Sequence, residues 1–254
     1  MRREKTRVNR RMKSLAELFF PSSLYCSCCG NIIDETRTYR LCDFCMEGFK
    51  WNLSEPEMRN GVSYISCVEY GVLERSLIFR LKYSGDKHIS RIIAEIMRDK
   101  LESLEKLGYG FGNSIIVPVP LHKKKEKKRG FNQAALIAKH LSKLTGMECL
   151  PRALIRIKET EAMRGLNAQE RRANIQGSID VNPLYKEDIK GRAVLLLDDF
   201  YTTGNTAVAC VDALMKGEPS KISFISYAKR TPYEEIMRKR LPQTVLTPPT
   251  GETT

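Results

Sequence analysis

Apolar positions recur at two different spacings along this chain, and the switches between them predict alternating strands and helices. β-Branched and aromatic residues from Val62 to Tyr70 predict a strand. Helical spacing follows in VLERSLIFRLKYSG and again in HISRIIAEIMRDKLESLEKL. SIIVPVP, 114–120, reads as a short buried strand ending in a proline-bounded turn. In FNQAALIAKHLSKLTG the apolar residues Phe131, Ala134, Ala135, Ile137, Ala138 and Leu141 share one face of a helix closed by Gly146. CLPRALIRIK reads as a further strand, followed by a polar, arginine-rich stretch through Asn174. RAVLLLDD, 192–199, is a continuous apolar run of the kind buried on both faces of a parallel sheet. Gly204 to Lys216 reads as helix and KISFISYA as a last strand. Strands separated by helices predict an α/β fold with a mostly parallel sheet and right-handed crossovers.

The ends look different. Residues 12–24 read as a short amphipathic helix with Leu15, Leu18 and Phe19 on one side, stopped by Pro21. LPQTVLTPPTGETT, 241–254, reads as a frayed tail. At 254 residues the chain has room for one α/β domain and a small appendage. No run of about 18 apolar residues is present, and the basic N-terminus is too weakly apolar for a secretory signal, so a cytoplasmic location is expected.

Cysteine placement sharpens the picture of the appendage. Five of the eight cysteines lie between Cys26 and Cys45, which in a reducing compartment points to metal rather than disulfides. Cys26 with Cys29 and Cys42 with Cys45 form two C-x-x-C pairs, twelve residues apart. Two such turns complete a tetrahedron round a structural Zn²⁺ with no open position. About thirty residues build no core of their own, so the metal would replace one. Gly30 suits the tight turn after Cys29, and Cys28 competes with Cys26 as a ligand. Cys67, Cys149 and Cys210 read as core residues, and His88, His122 and His140 as surface or packing residues, none at ligand spacing.

Charge widens the set of partners. The formal net charge is +13, with basic runs at Arg2, Arg3, Lys5, Arg7, Arg10 and Arg11 and again in LHKKKEKKRG, 121–130. These favour nucleic acid, phosphorylated ligands or an anionic surface, with a solvated charged face as the plainer alternative.

The most telling segment is VLLLDDFYTTGNTA, 194–207. A buried strand delivers Asp198 and Asp199 to the carboxyl edge of the sheet, where open α/β sheets bind ligands, and a Thr/Gly turn then opens a helix. Amides from Thr203 to Thr206, the hydroxyls of Thr202, Thr203 and Thr206, and the positive helix end make a seat for a phosphate. Gly204 allows close backbone approach. The two acids suit vicinal ribose hydroxyls and could hold Mg²⁺ through water. No Walker Gly-Lys-Ser/Thr and no Gly-x-Gly-x-x-Gly turn is present.

That order of residues resembles the nucleotide-sugar signature of type I phosphoribosyltransferases. The resemblance implies that Asp198 and Asp199 face the ribose, while Thr202, Thr203, Gly204, Asn205 and Thr206 hold the 5-phosphate. A diphosphate donor also needs cations. VPVPLHKKKEKKRGFNQ, 117–133, supplies a strand-end turn followed by lysines and Arg129 and then a helix, placing Pro120, Leu121, His122, Lys123 and Arg129 on the pyrophosphate side. Asp198, Asp199 and Arg129 are the candidate catalytic groups, with Mg²⁺. Residues 156–179 read either as a lid or as a surface excursion with a short helix at AQERRANI.

Together the blocks resemble the ComF family of competence-related proteins, which includes GntX. The matching pieces are the cysteine pairs, YGVLERSLIFRLKYSGDKHIS, PVPLHKKKEKKRGFNQA, the residues Arg156, Thr160, Leu166, Arg171, Arg172 and Asn174, and DDFYTTGNT. Met163 stands where that family usually has Gln, and the extension before Met12 is unusual, which makes Met12 an alternative start. The implied organisation is a basic segment and short helix (1–24), a zinc module (25–50), a phosphoribosyltransferase-like domain (62–230) and a tail (241–254). The resemblance implies support of single-stranded DNA uptake or processing in natural transformation, with a phosphoribosyl diphosphate site. The implied partners are single-stranded DNA and a competence helicase or membrane channel. Few aromatics interleave the basic runs to stack on bases. The competing expectations are a transferase acting on an unidentified acceptor with release of pyrophosphate, and an adaptor that merely retains a ligand site.

Overall fold

The computed structural model describes residues 24–157 and 177–230. Its centre is a five-stranded sheet built from β1 (Glu57–Arg59), β2 (Val62–Glu69), β3 (Ile115–Pro118), β6 (Ala193–Tyr201) and β7 (Lys221–Lys229) in the order β1-β2-β7-β6-β3. β2, β7, β6 and β3 are mutually parallel, and β1 joins β2 antiparallel through Asn60 and Gly61, both at positive φ. Asn-Gly is the dipeptide that a tight hairpin turn prefers. The apolar spacing gave no hint of β1.

Helices α2 (Val72–Tyr83) and α3 (His88–Glu105) follow β2. The basic run after β3 is itself a helix, α4 (Lys123–Arg129), where the sequence pattern showed only lysines and Arg129 between a strand-end turn and the next helix. His122 caps it, its Nδ1 accepting from the Lys124 amide at 3.2 Å, a role the surface-or-packing expectation did not include. Gly130, at φ 80, ends α4 in the left-handed conformation that costs a residue without Cβ nothing. Asn132 then caps α5 (Gln133–Thr145) through Ala134 N and donates to Val119 O at 3.0 Å, which pins the turn after β3. Of the strand expected in 149–158, only β4 (Leu154–Arg156) forms, paired antiparallel with β5 (Ile179–Val181), because Pro151 and Arg152 turn the chain first. A short helix α6 (Lys186–Ile189) precedes β6, and α7 (Asn205–Met215) connects β6 to its neighbour β7. Most of the segment read as lid or excursion, the helix expected at 12–24 up to residue 23, and the tail fall outside the described residues.

Alternation along β6 divides the core in two. Val194 and Leu196 pack with Val117, Phe224 and the inner face of α7, while Leu195 and Leu197 pack with Ile65, Tyr227 and the buried faces of α2, α3 and α5. The second cluster continues without a break into Cys26, Ile33, Leu41, Cys45 and Phe49. The cysteine segment, with its short helix α1 (Asp43–Gly48), thus shares a core with the sheet. Trp51 clamps it, its ring beside Tyr39 and Phe49 and its Nε1 donating to Met46 O. No helix among the described residues is long and apolar enough to cross a membrane.

Candidate functional site

β6 outruns β3. The β3 pairing ends at Pro118 against Leu197, and Val119 N donates to Leu197 O at 2.8 Å, so Asp198 to Tyr201 continue with a neighbour on the β7 side only. That leaves a notch at the carboxyl edge of the parallel sheet. The strand does not stop at the acids as the pattern suggested but runs on to Tyr201.

The same alternation sends the two adjacent carboxylates to opposite faces. Asp199 follows Leu195 and Leu197 toward α2, where it is 4% exposed and its Oδ2 lies 2.5 Å from the ammonium of Lys82, on the last turn of α2. Asp198 follows Val194 and Leu196 toward Arg156 and Cys210, and its Oδ1 accepts from the Asp199 amide at 2.8 Å. Burial pushes the Asp198 carboxyl well above the ordinary carboxylate range; the Asp199 charge adds to that and Lys82 opposes it.

Thr202 and Thr203 are exposed beyond the strand, and Asn205 and Thr206 are partly so at the start of α7. Gly204 is the N-cap of α7 at φ 77, with no side chain satisfying the helix amides. A Cβ there would meet the Tyr201 hydroxyl at 2.6 Å, so glycine is required twice, by conformation and by space. The ring of Tyr201 packs on Tyr64 and Phe224, and its hydroxyl accepts from Arg59 Nη1 at 3.3 Å. The first turn of an eleven-residue helix therefore presents unsatisfied amides and the positive end of its dipole beside four hydroxyl- or amide-bearing side chains.

Cations gather near the two acids, Lys82 on Asp199 and Arg156 within electrostatic reach of Asp198. Partial desolvation lowers the Lys125 ammonium below its usual value, and the charges of Arg156, Arg129 and Lys82, each within electrostatic reach of it, push it down further. Arg129 holds its guanidinium 5.5 Å over the ring of Tyr83. Pro120, Leu121 and Lys123 line a half-open cleft of about 710 Å³ together with Asn132, Arg152 and Arg156. Of the expected pyrophosphate-side residues, then, three border this cleft, Arg129 stands at its own place against α2, and His122 spends Nδ1 on its helix cap. Lys82 and Lys125 had no role in the sequence expectations. Lys82 meets Asp199 across 117 positions of chain, a contact with no local signature.

The sulfurs of Cys26, Cys29, Cys42 and Cys45 all lie within 4.8 Å of one another, with Cys29 and Cys42 at 3.6 Å. Thiolates about 2.3 Å from a tetrahedral zinc stand about 3.8 Å apart, so the quartet fits that ion. The Cys42 amide points at Cys26 Sγ. Burial disfavours the Cys26 thiolate, yet amides of Cys29, Cys42 and Cys28 bring its pKa down to about 6. Gly30, at φ 82, returns its N–H to Cys26 O as the knuckle turn requires. Cys28 is out of the competition: its sulfur lies 3.0 Å from Ser76 Oγ and 3.6 Å from Leu73 O on α2. Cys67 and Cys210 are fully buried, as expected of core residues, and Cys149 is partly so.

Comparison with known proteins bears on this arrangement. The family described as "Phosphoribosyl transferase domain" matches residues 86–242. Competence protein F of Haemophilus influenzae is 32% identical over 130 residues, 51% of this chain and 56% of that protein. Competence protein ComFC of Bacillus subtilis is 29% identical over 165 residues, 62% of this chain and 60% of its own length. The DNA utilization protein YhgH of Escherichia coli K12 is 25% identical over 153 residues, covering 60% of this chain and 65% of that protein. The chain thus spans less than two thirds of the length of each of these relatives. Among solved structures, an adenine phosphoribosyltransferase aligns with a TM-score of 0.38 and 14% identity over 63% of this chain and 79% of its own. With more than half of its length matched by the family, a parallel sheet flanked by helices and a four-cysteine cluster at its front, this chain belongs to the phosphoribosyl transferase domain family.

Proposed function

We propose that the notch between β6 and α7 binds a 5-phosphoribosyl ligand, phosphoribosyl diphosphate with Mg²⁺, in a protein that serves the handling of single-stranded DNA in natural transformation. One observation carries the ligand assignment: uncapped helix amides beside Thr202 to Thr206 follow the half-buried Asp198 and the buried Asp199, with Lys82 on Asp199 and Lys82, Arg129 and Arg156 within electrostatic reach of Lys125. A phosphate dianion suits the helix end, a diol suits Asp198, and a pyrophosphate suits Lys82, Lys125, Arg129 and Arg156. Asp199 reaches the sugar when Lys82 leaves it for the arriving pyrophosphate, which exchanges one charge-assisted contact for another.

The acids and the ligand's own phosphates are hard oxygen donors, the set Mg²⁺ prefers, and the ion when bound neutralises pyrophosphate charge. If transfer occurs, the acceptor's lone pair forms the new bond at the anomeric carbon while the carbon–oxygen bond to pyrophosphate breaks and the pyrophosphate departs with the electron pair. Lys82 and Arg129 stabilise that leaving charge. A structural zinc at Cys26, Cys29, Cys42 and Cys45 takes no part in this chemistry. The nucleic-acid half draws on the names of the competence-related relatives and on the basic helix α4.

Calorimetric titration tests the ligand. Ribose 5-phosphate and pyrophosphate should each bind weakly, and phosphoribosyl diphosphate with Mg²⁺ far more tightly than either. Equal affinity for all three would remove the proposal. Pyrophosphate release in the presence of candidate acceptors would identify a transferase.

A further inference from the structure

The outer face of α2 carries an exposed ladder that meets the proposed site only at Arg129. Arg75, Phe79 and Tyr83 recur every fourth residue and so lie on one face, away from the buried Leu77, Ile78 and Leu81. The guanidinium of Arg75 sits 4.6 Å over Phe79, the rings of Phe79 and Tyr83 are 4.9 Å apart, and Arg129 lies 5.5 Å over Tyr83. Phe79 is 43% and Tyr83 66% exposed, so both rings keep surface open to solvent although a guanidinium lies over each. The eight helical rises from Arg75 to Tyr83 carry the ladder about 12 Å. It ends at Arg129, the last residue of α4, six of whose seven residues are basic.

We infer that the Arg75–Phe79–Tyr83–Arg129 ladder is a stacking platform for single-stranded nucleic acid, which it guides onto α4. This rests on the nucleic-acid half of the proposed function and gives it a surface. The chemistry selects the partner. Two exposed rings set between two cations match a strand whose π-faced bases are flanked by phosphates, and every base has such a face, so the platform is indifferent to sequence. A protein partner would call for a wider apolar patch. An anionic membrane would call for a continuous apolar face to insert, whereas here each ring is flanked by a guanidinium. The interleaving of aromatic and basic groups, missing from the linear basic runs, is produced by helical spacing and by the meeting of α2 with α4.

The experiment is fluorescence anisotropy of a labelled oligothymidylate with the full chain at several salt concentrations, repeated with an abasic oligomer of the same length. Phe79→Ala and Tyr83→Ala should each weaken oligothymidylate binding by about tenfold and leave abasic binding unchanged. Arg75→Gln should instead reduce the salt slope by about 0.7, one phosphate contact on a single strand. Phe79→Leu, which keeps apolar bulk on the helix, should fall with Phe79→Ala and guards against misfolding. Ring variants that bind oligothymidylate as wild type does, or that lose abasic binding equally, would overturn the platform while leaving DNA binding intact. A wild type that binds no oligothymidylate, or binds only phosphatidylserine vesicles, would remove the nucleic-acid half itself and the platform with it. Phosphoribosyl diphosphate binding by Arg75→Gln and Phe79→Ala, neither of which removes the ring under Arg129, is measured separately and distinguishes loss of the platform from loss of the ligand site.

Discussion

Replacing Lys82 by Met leaves Asp199 facing α2 with its charge unpaired. The side chains are 16% and 5% exposed, so neither the pair nor the orphaned carboxylate is bathed in water. Breaking a buried pair from one side costs about 3–5 kcal/mol, most of it the desolvation of the charge left behind. At about 2–4 °C per kcal/mol for a chain of this size, Lys82→Met should lower Tm by roughly 6–20 °C. Asp199→Asn should cost less, because a lysine has a four-carbon stem that can carry its charge to solvent, and the carboxylate has none. The double variant Lys82→Met/Asp199→Asn should recover most of the loss, giving a coupling energy of at least about 2 kcal/mol in a double-mutant cycle. Thermal and urea unfolding of the four proteins provides the measurement. If Asp199→Asn costs as much as Lys82→Met, or if the two losses simply add, then the carboxylate is not held by that ammonium and the buried-pair account fails.

Other consequences follow from neighbouring features. Gly204→Ala should destabilise by about 2–3 kcal/mol, from forcing a Cβ into φ 77 and against the Tyr201 hydroxyl at 2.6 Å; adding Tyr201→Phe removes the closest atom and should return part of the loss in unfolding assays. Asp198 binds its proton more tightly folded than unfolded, so its contribution to stability is lost as pH rises from about 4, the unfolded carboxylate value, through its raised folded value. Asp198→Asn should therefore raise Tm relative to wild type increasingly across that window while weakening ligand binding, and a constant difference across pH would contradict it. One zinc per chain should be found by elemental analysis. Chelation or Cys45→Ser should lower Tm of the whole domain in one transition, because Cys26 and Cys45 share a core with Leu77 and Leu81.

The sequence made visible what depends on near neighbours. Periodicity located β2, β3, β6, β7 and the long helices because each buries a regular face. The cysteine quartet was legible because zinc knuckles are local turns, and the Asp-Asp-x-x-Thr-Thr-Gly run because a strand, a turn and a helix start meet within ten residues. β1 was missed because three exposed residues carry no pattern, although Asn60-Gly61 marks its turn. α4 was missed because a run of lysines has no apolar face to reveal a helix. The divergence of Asp198 from Asp199 follows from strand alternation once the strand is known to extend to Tyr201. That Lys82 is the partner of Asp199, and that Arg129 lies over Tyr83, depend on how α2 and α4 dock, and spacing along the chain does not encode that.

The ligand pocket is tested most directly by calorimetry of phosphoribosyl diphosphate and Mg²⁺ against the wild type and Asp198→Ala/Asp199→Ala, with circular dichroism to establish that both are folded. Saturable one-to-one binding by the wild type and none by the folded double variant is the expected result. Equal binding by the two proteins, or none by either, would contradict a phosphoribosyl site at the β6–α7 junction.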